Sequence, residues 1–90
     1  MVKRISVTVT DPVGLYATPA TELVDTMKVF KSDIKLVYAS KTVNMKSLMG
    51  VLSLGIPTKA DIDIIADGED ADAAIDHAVK KMKELGIIDQ

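Results

Sequence analysis

The chain has 90 residues and a formal net charge of −2, from 11 basic and 13 acidic side chains. That balance excludes an electrostatic footprint for nucleic acid, and 3% aromatic residues exclude a base-stacking platform. The absence of cysteine excludes disulfides, thiolate catalysis and cysteine-ligated metal, and a reducing cytoplasm is the expected setting.

KRISVTVT alternates cleanly, with Ile5, Val7 and Val9 on one face and Arg4, Ser6, Thr8 and Thr10 on the other. That is the pattern of a half-buried strand, and DPVG at 11–14 ends it with turn chemistry. No apolar run precedes the alternation and none later reaches membrane-spanning length, so neither a signal peptide nor membrane insertion is expected. A helix follows, with Ala20, Leu23, Val24, Met27 and Phe30 at helical spacing. Its N-cap is Thr18, with Pro19 in the first turn, or equally Tyr16. IKLVY (34–38) and TVN (42–44) make a hairpin around a turn at ASK. SLMGVLSLG (47–55) predicts a short helix capped by Ser47 and stopped near Gly55, apolar on almost every side. Of its residues, Val51 and Leu54 are expected in the core, while Leu48, Met49 and Leu52 are expected to form an exposed, adaptable contact surface, with Lys41 and Lys46 as solvated rim charges.

IDIIA (62–66) is a fourth strand, and DGED (67–70) turns into the last helix. Ala71, Ala74, Ile75, Ala78, Val79, Met82 and Leu85 form its buried stripe, and Gly86 ends it. Glu69, Asp70 and Asp72 at its start and Lys80, Lys81 and Lys83 near its end suit the helix macrodipole. The acidic group lacks EF-hand spacing, so no metal or other cofactor is expected. His77, the single histidine, falls off the stripe on the solvated face, with no partner for chemistry. The order β-α-β-β-α-β-α contains no series of βαβ repeats. It predicts one domain over residues 1–90, an α+β fold with an antiparallel sheet covered by helices on one face.

Three stretches carry a resemblance over roughly Lys3 to Gly86. VNMKSLMGVLSLG (43–55) resembles the regulatory-serine segment of the HPr family, the histidine-containing phosphocarriers of the bacterial sugar phosphotransferase system. DPVGLYATPA (11–20) resembles that family's active-site loop, usually G-[LI]-H-A-R-P-A, and IIADGEDADAAI (64–75) is similar to a third family segment. The resemblance implies an open-faced β-sandwich, four antiparallel strands under three helices. It also implies a departure in the active-site loop: the phospho-accepting histidine falls on Tyr16 and its neighbouring arginine on Thr18, while Gly14, Ala17, Pro19 and Ala20 are kept.

The departure changes the chemistry. An imidazole titrates near pH 6.5 and is available as a nucleophile at neutral pH, whereas a phenol titrates near pH ~10 and is not, unless a base activates it. A threonine cannot offer the bidentate positive fork that arginine gives a phosphoryl group. Only the helix N-terminus remains to attract an anion. Relay through this loop is expected to be lost or very weak, leaving Tyr16 as a surface residue first, then a partner contact, and last a phosphorylated side chain. Ser47 matches the family's regulatory serine, a role compatible with helix capping because phosphate is tolerated at a helix start. Leu48, Met49 and Leu52 match the family's docking positions.

Two functional readings follow. The first is a non-enzymatic regulator, similar to the family member of catabolite repression that also lacks the transfer histidine, switched at Ser47 by an HPr kinase/phosphorylase and docking on a LacI-type catabolite control regulator. The second is a phosphocarrier with an altered active site, exchanging phosphate with enzyme I and sugar-specific enzyme II components. An unrelated interaction served by the same fold is a more distant third.

Overall fold

In the computed structural model, which describes residues 1–89, seven elements follow one another: β1 (Val2–Thr8), α1 (Ala17–Met27), β2 (Asp33–Tyr38), β3 (Lys41–Asn44), α2 (Leu48–Ser53), β4 (Asp61–Asp67) and α3 (Ala71–Glu84). The order and the α+β class are those expected. The strands form one antiparallel sheet in the order β1-β4-β2-β3, with Ile5 opposite Ile64 and Leu36 opposite both Ile64 and Val43. Ile34, Leu36, Ile62, Ile64 and Ala66 point from β2 and β4 into the core and are completely or almost completely buried.

Each helix brings one apolar stripe to that face. Leu23, Val24 and Met27 of α1 and Ala74, Ala78 and Met82 of α3 are 0–1% exposed. Burying a side chain of the leucine or methionine class stabilises by about 1.5–3 kcal/mol, which is why the helices close over one face only. The opposite face carries Arg4, Ser6 and Thr8, which bond to Asp63 and Asp61 across the β1–β4 ladder. Hydrogen bonds from Ser6 and Arg4 hold the Asp63 carboxyl below the usual carboxylate range.

Three boundaries differ from expectation. The first helix ends at Met27, so Phe30 lies beyond it; its ring is half-buried and tilts against His77 with centroids 5.2 Å apart. The β1 ladder stops at Thr8, although Val9 is still fully buried and its backbone bonds to Ala60 and Lys59. Beyond Gly86, Ile87 and Ile88 complete the core, and the Ile87 carbonyl accepts from Thr10 and Asp11. Two apolar residues after a helix stop have no period from which their burial is legible.

Asp70 also does more than sit at the start of α3. It is the N-cap residue, yet its carboxylate makes no cap bond to its own helix. It accepts instead from the Ser32 hydroxyl and from the backbone N–H groups of Lys31 and Ser32, at 2.8 and 2.9 Å. These bonds tie α3 to the entrance of β2, 38 and 39 residues away in sequence. The Ser32 hydroxyl above all, then the Lys31 N–H, lower the Asp70 pKa from 3.8 to about 2.

A depressed carboxyl pKa means that the unfolded chain takes up the proton first. The stabilisation is therefore present above pH 3.8 and is lost as pH falls toward about 2. Asp70→Ala is expected to lower the melting temperature at neutral pH and to flatten, not abolish, its decline over that acid window, because Asp63 contributes in the same direction. Thermal melts of both proteins from pH 7 to pH 2 check this; parallel curves would remove the clamp as the cause.

Candidate docking and phosphorylation site

The loop before α1 is fixed by the backbone. Asp11 folds back to accept from Val13 N–H through its side chain (2.8 Å) and from Gly14 N–H through its carbonyl (2.9 Å). Gly14 then takes φ +83°, and the Leu15 N–H donates to the Ile56 carbonyl at 3.0 Å. A Cβ on Gly14 would stand 2.4 Å from that same oxygen, so glycine is required by both its φ and its neighbour. Leu15 is buried, and the chain surfaces again at Tyr16, which is 44% exposed.

Tyr16 is the N-cap of α1, in extended conformation, and its side chain makes no cap bond. Its carbonyl accepts from Ala20 N–H at 3.0 Å, closing the first turn around Pro19, whose missing N–H costs nothing there. Of the two starts left open by the sequence, the one at Tyr16 is adopted. Thr18 is inside the first turn and exposed, so a capping role for its hydroxyl is corrected. The intrinsic preference of threonine for the cap yields to Leu15 and Gly14, which anchor the chain one turn earlier. The result is a helix end whose Ala17 and Thr18 N–H groups have no intrahelical acceptor and no side-chain cap.

α2 lies beside α1 and on β3. Ser47 is its N-cap, half-buried, and its Oγ accepts from Gly50 N–H at 3.1 Å. Val51 and Leu54 are buried, as expected. Met49 is 78% exposed, while Leu48 and Leu52 are half-buried and pack partly on the core. The expected apolar surface of three residues is thus dominated by Met49, with the flanks of two leucines beside it. Lys46 differs from a solvated rim charge: it is half-buried, and its Nζ donates to the Phe30 carbonyl at 2.6 Å, bracing the approach to Ser47 against the turn after α1.

The two regions adjoin at one end. The Leu15–Ile56 bond joins the residue before Tyr16 to the segment just after α2, and Ser47 stands at the far end of α2, about 9 Å along its axis. No enclosed pocket forms among the described residues, so the region presents a surface and not a cavity. Val13, 67% exposed within the turn, belongs to the same loop and escaped sequence reading, because a single valine in a turn quartet has no periodic signal. His77 is exposed on α3, with Nδ1 2.8 Å from the Ala73 carbonyl.

Likeness to known proteins follows the same lines. The family model described as "PTS HPr component phosphorylation site" matches residues 3–84. The structure of the Mycoplasma histidine-containing phosphocarrier protein superposes with a TM-score of 0.96 at 38% identity, covering 98% of this chain and 100% of that one. The phosphocarrier protein HPr of Bacillus anthracis gives a TM-score of 0.83 at 36% identity, over 89% and 95% of the two chains. Crh, a catabolite repression protein of Bacillus subtilis, gives 0.72 at 37% identity, over 87% and 90%. Matched by the family model over most of its length and superposing on a relative of 38% identity with the same fold, this chain belongs to the HPr family of the phosphotransferase system.

Proposed function

We propose that this protein is a cytoplasmic, non-enzymatic regulator of the phosphotransferase system that has given up phosphoryl relay at the α1 loop and is switched by phosphorylation at Ser47. One observation carries the reading. The loop frame, Gly14 to Ala20, is built and anchored, yet the exposed groups at its helix mouth are a phenol and a threonine hydroxyl. Neither supplies a neutral-pH nucleophile or a fixed positive charge for a phosphoryl group.

Ser47 is suited to the switch. Its hydroxyl faces a glycine at Gly50, where an added Cβ would stand 3.3 Å from Oγ. A phosphate there adds close to two negative charges at the start of α2, beside the exposed Met49. It meets the helix dipole favourably and changes the surface without unfolding it. The partners that fit are an HPr kinase/phosphorylase acting on Ser47 and a LacI-type catabolite control regulator docking on Leu48, Met49 and Leu52.

Incubation with ATP and the HPr kinase is expected to place one phosphate on this protein, absent from Ser47→Ala. Failure to label the wild type removes the reading. Carrier function is the second reading, favoured by the likeness to the Mycoplasma and Bacillus anthracis phosphocarriers. On that reading enzyme I with phosphoenolpyruvate deposits phosphate on the unaltered chain, an acid-stable ester where Tyr16 is the acceptor, and the chain then passes it to enzyme II components.

A further inference from the structure

The five methionines fall into two groups. Met27, Met45 and Met82 are 0% exposed in the core, whereas Met49 is 78% exposed and Met1, the first residue, 71%. Nothing in α2 depends on the Met49 thioether, because Val51 and Leu54 hold the helix to the core and Ser47 caps it. The chain also has no cysteine, so no thiolate competes for an oxidant.

We infer that Met49 is a reversible oxidation site whose sulfoxide switches off docking of the Ser47 kinase on α2. The co-reactant is a hydroperoxide. A sulfur lone pair attacks the terminal peroxide oxygen, the O–O bond breaks, and the proton ends on the departing oxygen. Methionine and ROOH become methionine sulfoxide and ROH; sulfur gives up two electrons and the peroxide takes them. The product replaces an apolar tip by a strong hydrogen-bond acceptor, which is costly to bury in an apolar contact. The buried methionines lack solvent access, so the reaction marks the surface without disturbing the core. Modification at Met49 follows from exposure alone; its regulatory effect rests on the reading of α2 as a docking surface.

The test treats the folded protein with millimolar hydrogen peroxide at neutral pH and follows each methionine by peptide mass spectrometry. Met49 is expected to gain one oxygen at least about tenfold faster than Met27, Met45 and Met82, with the melting temperature unchanged, and methionine sulfoxide reductases with dithiothreitol are expected to reverse it. In the Ser47 kinase assay the oxidised protein is expected to show a KM raised by about tenfold, while Met49→Leu keeps its KM through the same treatment. Oxidation of Met49 no faster than the core methionines overturns the site. An unchanged KM for the sulfoxide, where Met49→Asp raises it, overturns the switch and leaves docking standing. If Met49→Asp also leaves the KM unchanged, the kinase does not dock on this face and the switch fails with it.

Discussion

Tyr16→His combined with Thr18→Arg is expected to make this chain accept phosphate from enzyme I and phosphoenolpyruvate at least about a thousandfold faster than the unaltered protein. The reason is local. An imidazole at position 16 is a nucleophile at neutral pH, and an arginine at position 18 adds a fixed charge one step along the first turn of α1. The rest of the mouth is already in place: Gly14 in its left-handed conformation, Leu15 bonded to Ile56, and the free N–H groups of Ala17 and Thr18 at the helix start. Total incorporation of labelled phosphate, counted before acid treatment, measures the gain, and its acid lability in the variant identifies the histidine as the acceptor. The single change Tyr16→His should show part of it, since the nucleophile is indispensable and the charge assists. A double variant that stays unlabelled would mean that the loop frame is not competent for relay. A wild type labelled as fast as the double variant would sink the regulator reading.

Gly14→Ala is expected to destabilise the fold by about 3 kcal/mol, lowering the melting temperature by about 15 °C. The added Cβ would lie 2.4 Å from the Ile56 carbonyl oxygen and 2.9 Å from two backbone atoms of Pro57. Backbone cannot turn aside as a flexible side chain can, so the loop must shift and the Leu15–Ile56 bond with it. Gly55 supplies the control: it shares a positive φ, +57°, but no atom lies within 4 Å of an added Cβ. Gly55→Ala should therefore cost only the conformational penalty, about 1 kcal/mol. Equal losses for the two variants would show that close approach is not what fixes the loop. Placed in the Tyr16→His, Thr18→Arg background, Gly14→Ala should also reduce the regained labelling, because it displaces the helix mouth that presents both groups.

The alternation of Ile5, Val7 and Val9 and the stripe from Ala71 to Leu85 reveal strand and helix directly, because period 2 and period 3.6 are written in local sequence. The order of elements then leaves an antiparallel sheet under helices as the consistent architecture, and resemblance in three short stretches led to the family. The placement of a phenol at the surface at Tyr16 was also legible, and so was the burial of Val51 and Leu54. Tertiary structure alone decided which of two cap residues opens α1, because the choice depends on the bond from Leu15 to Ile56, 41 residues away. It alone showed Asp70 serving Lys31 and Ser32, Lys46 committed to Phe30, and Ile87 closing the core beneath Thr10. It also separated Met49 from Leu48 and Leu52, which share its hydrophobicity but lean on the core. Local sequence encodes period and propensity, whereas exposure, clamps between distant segments and the exact start of a helix depend on what the rest of the chain brings alongside.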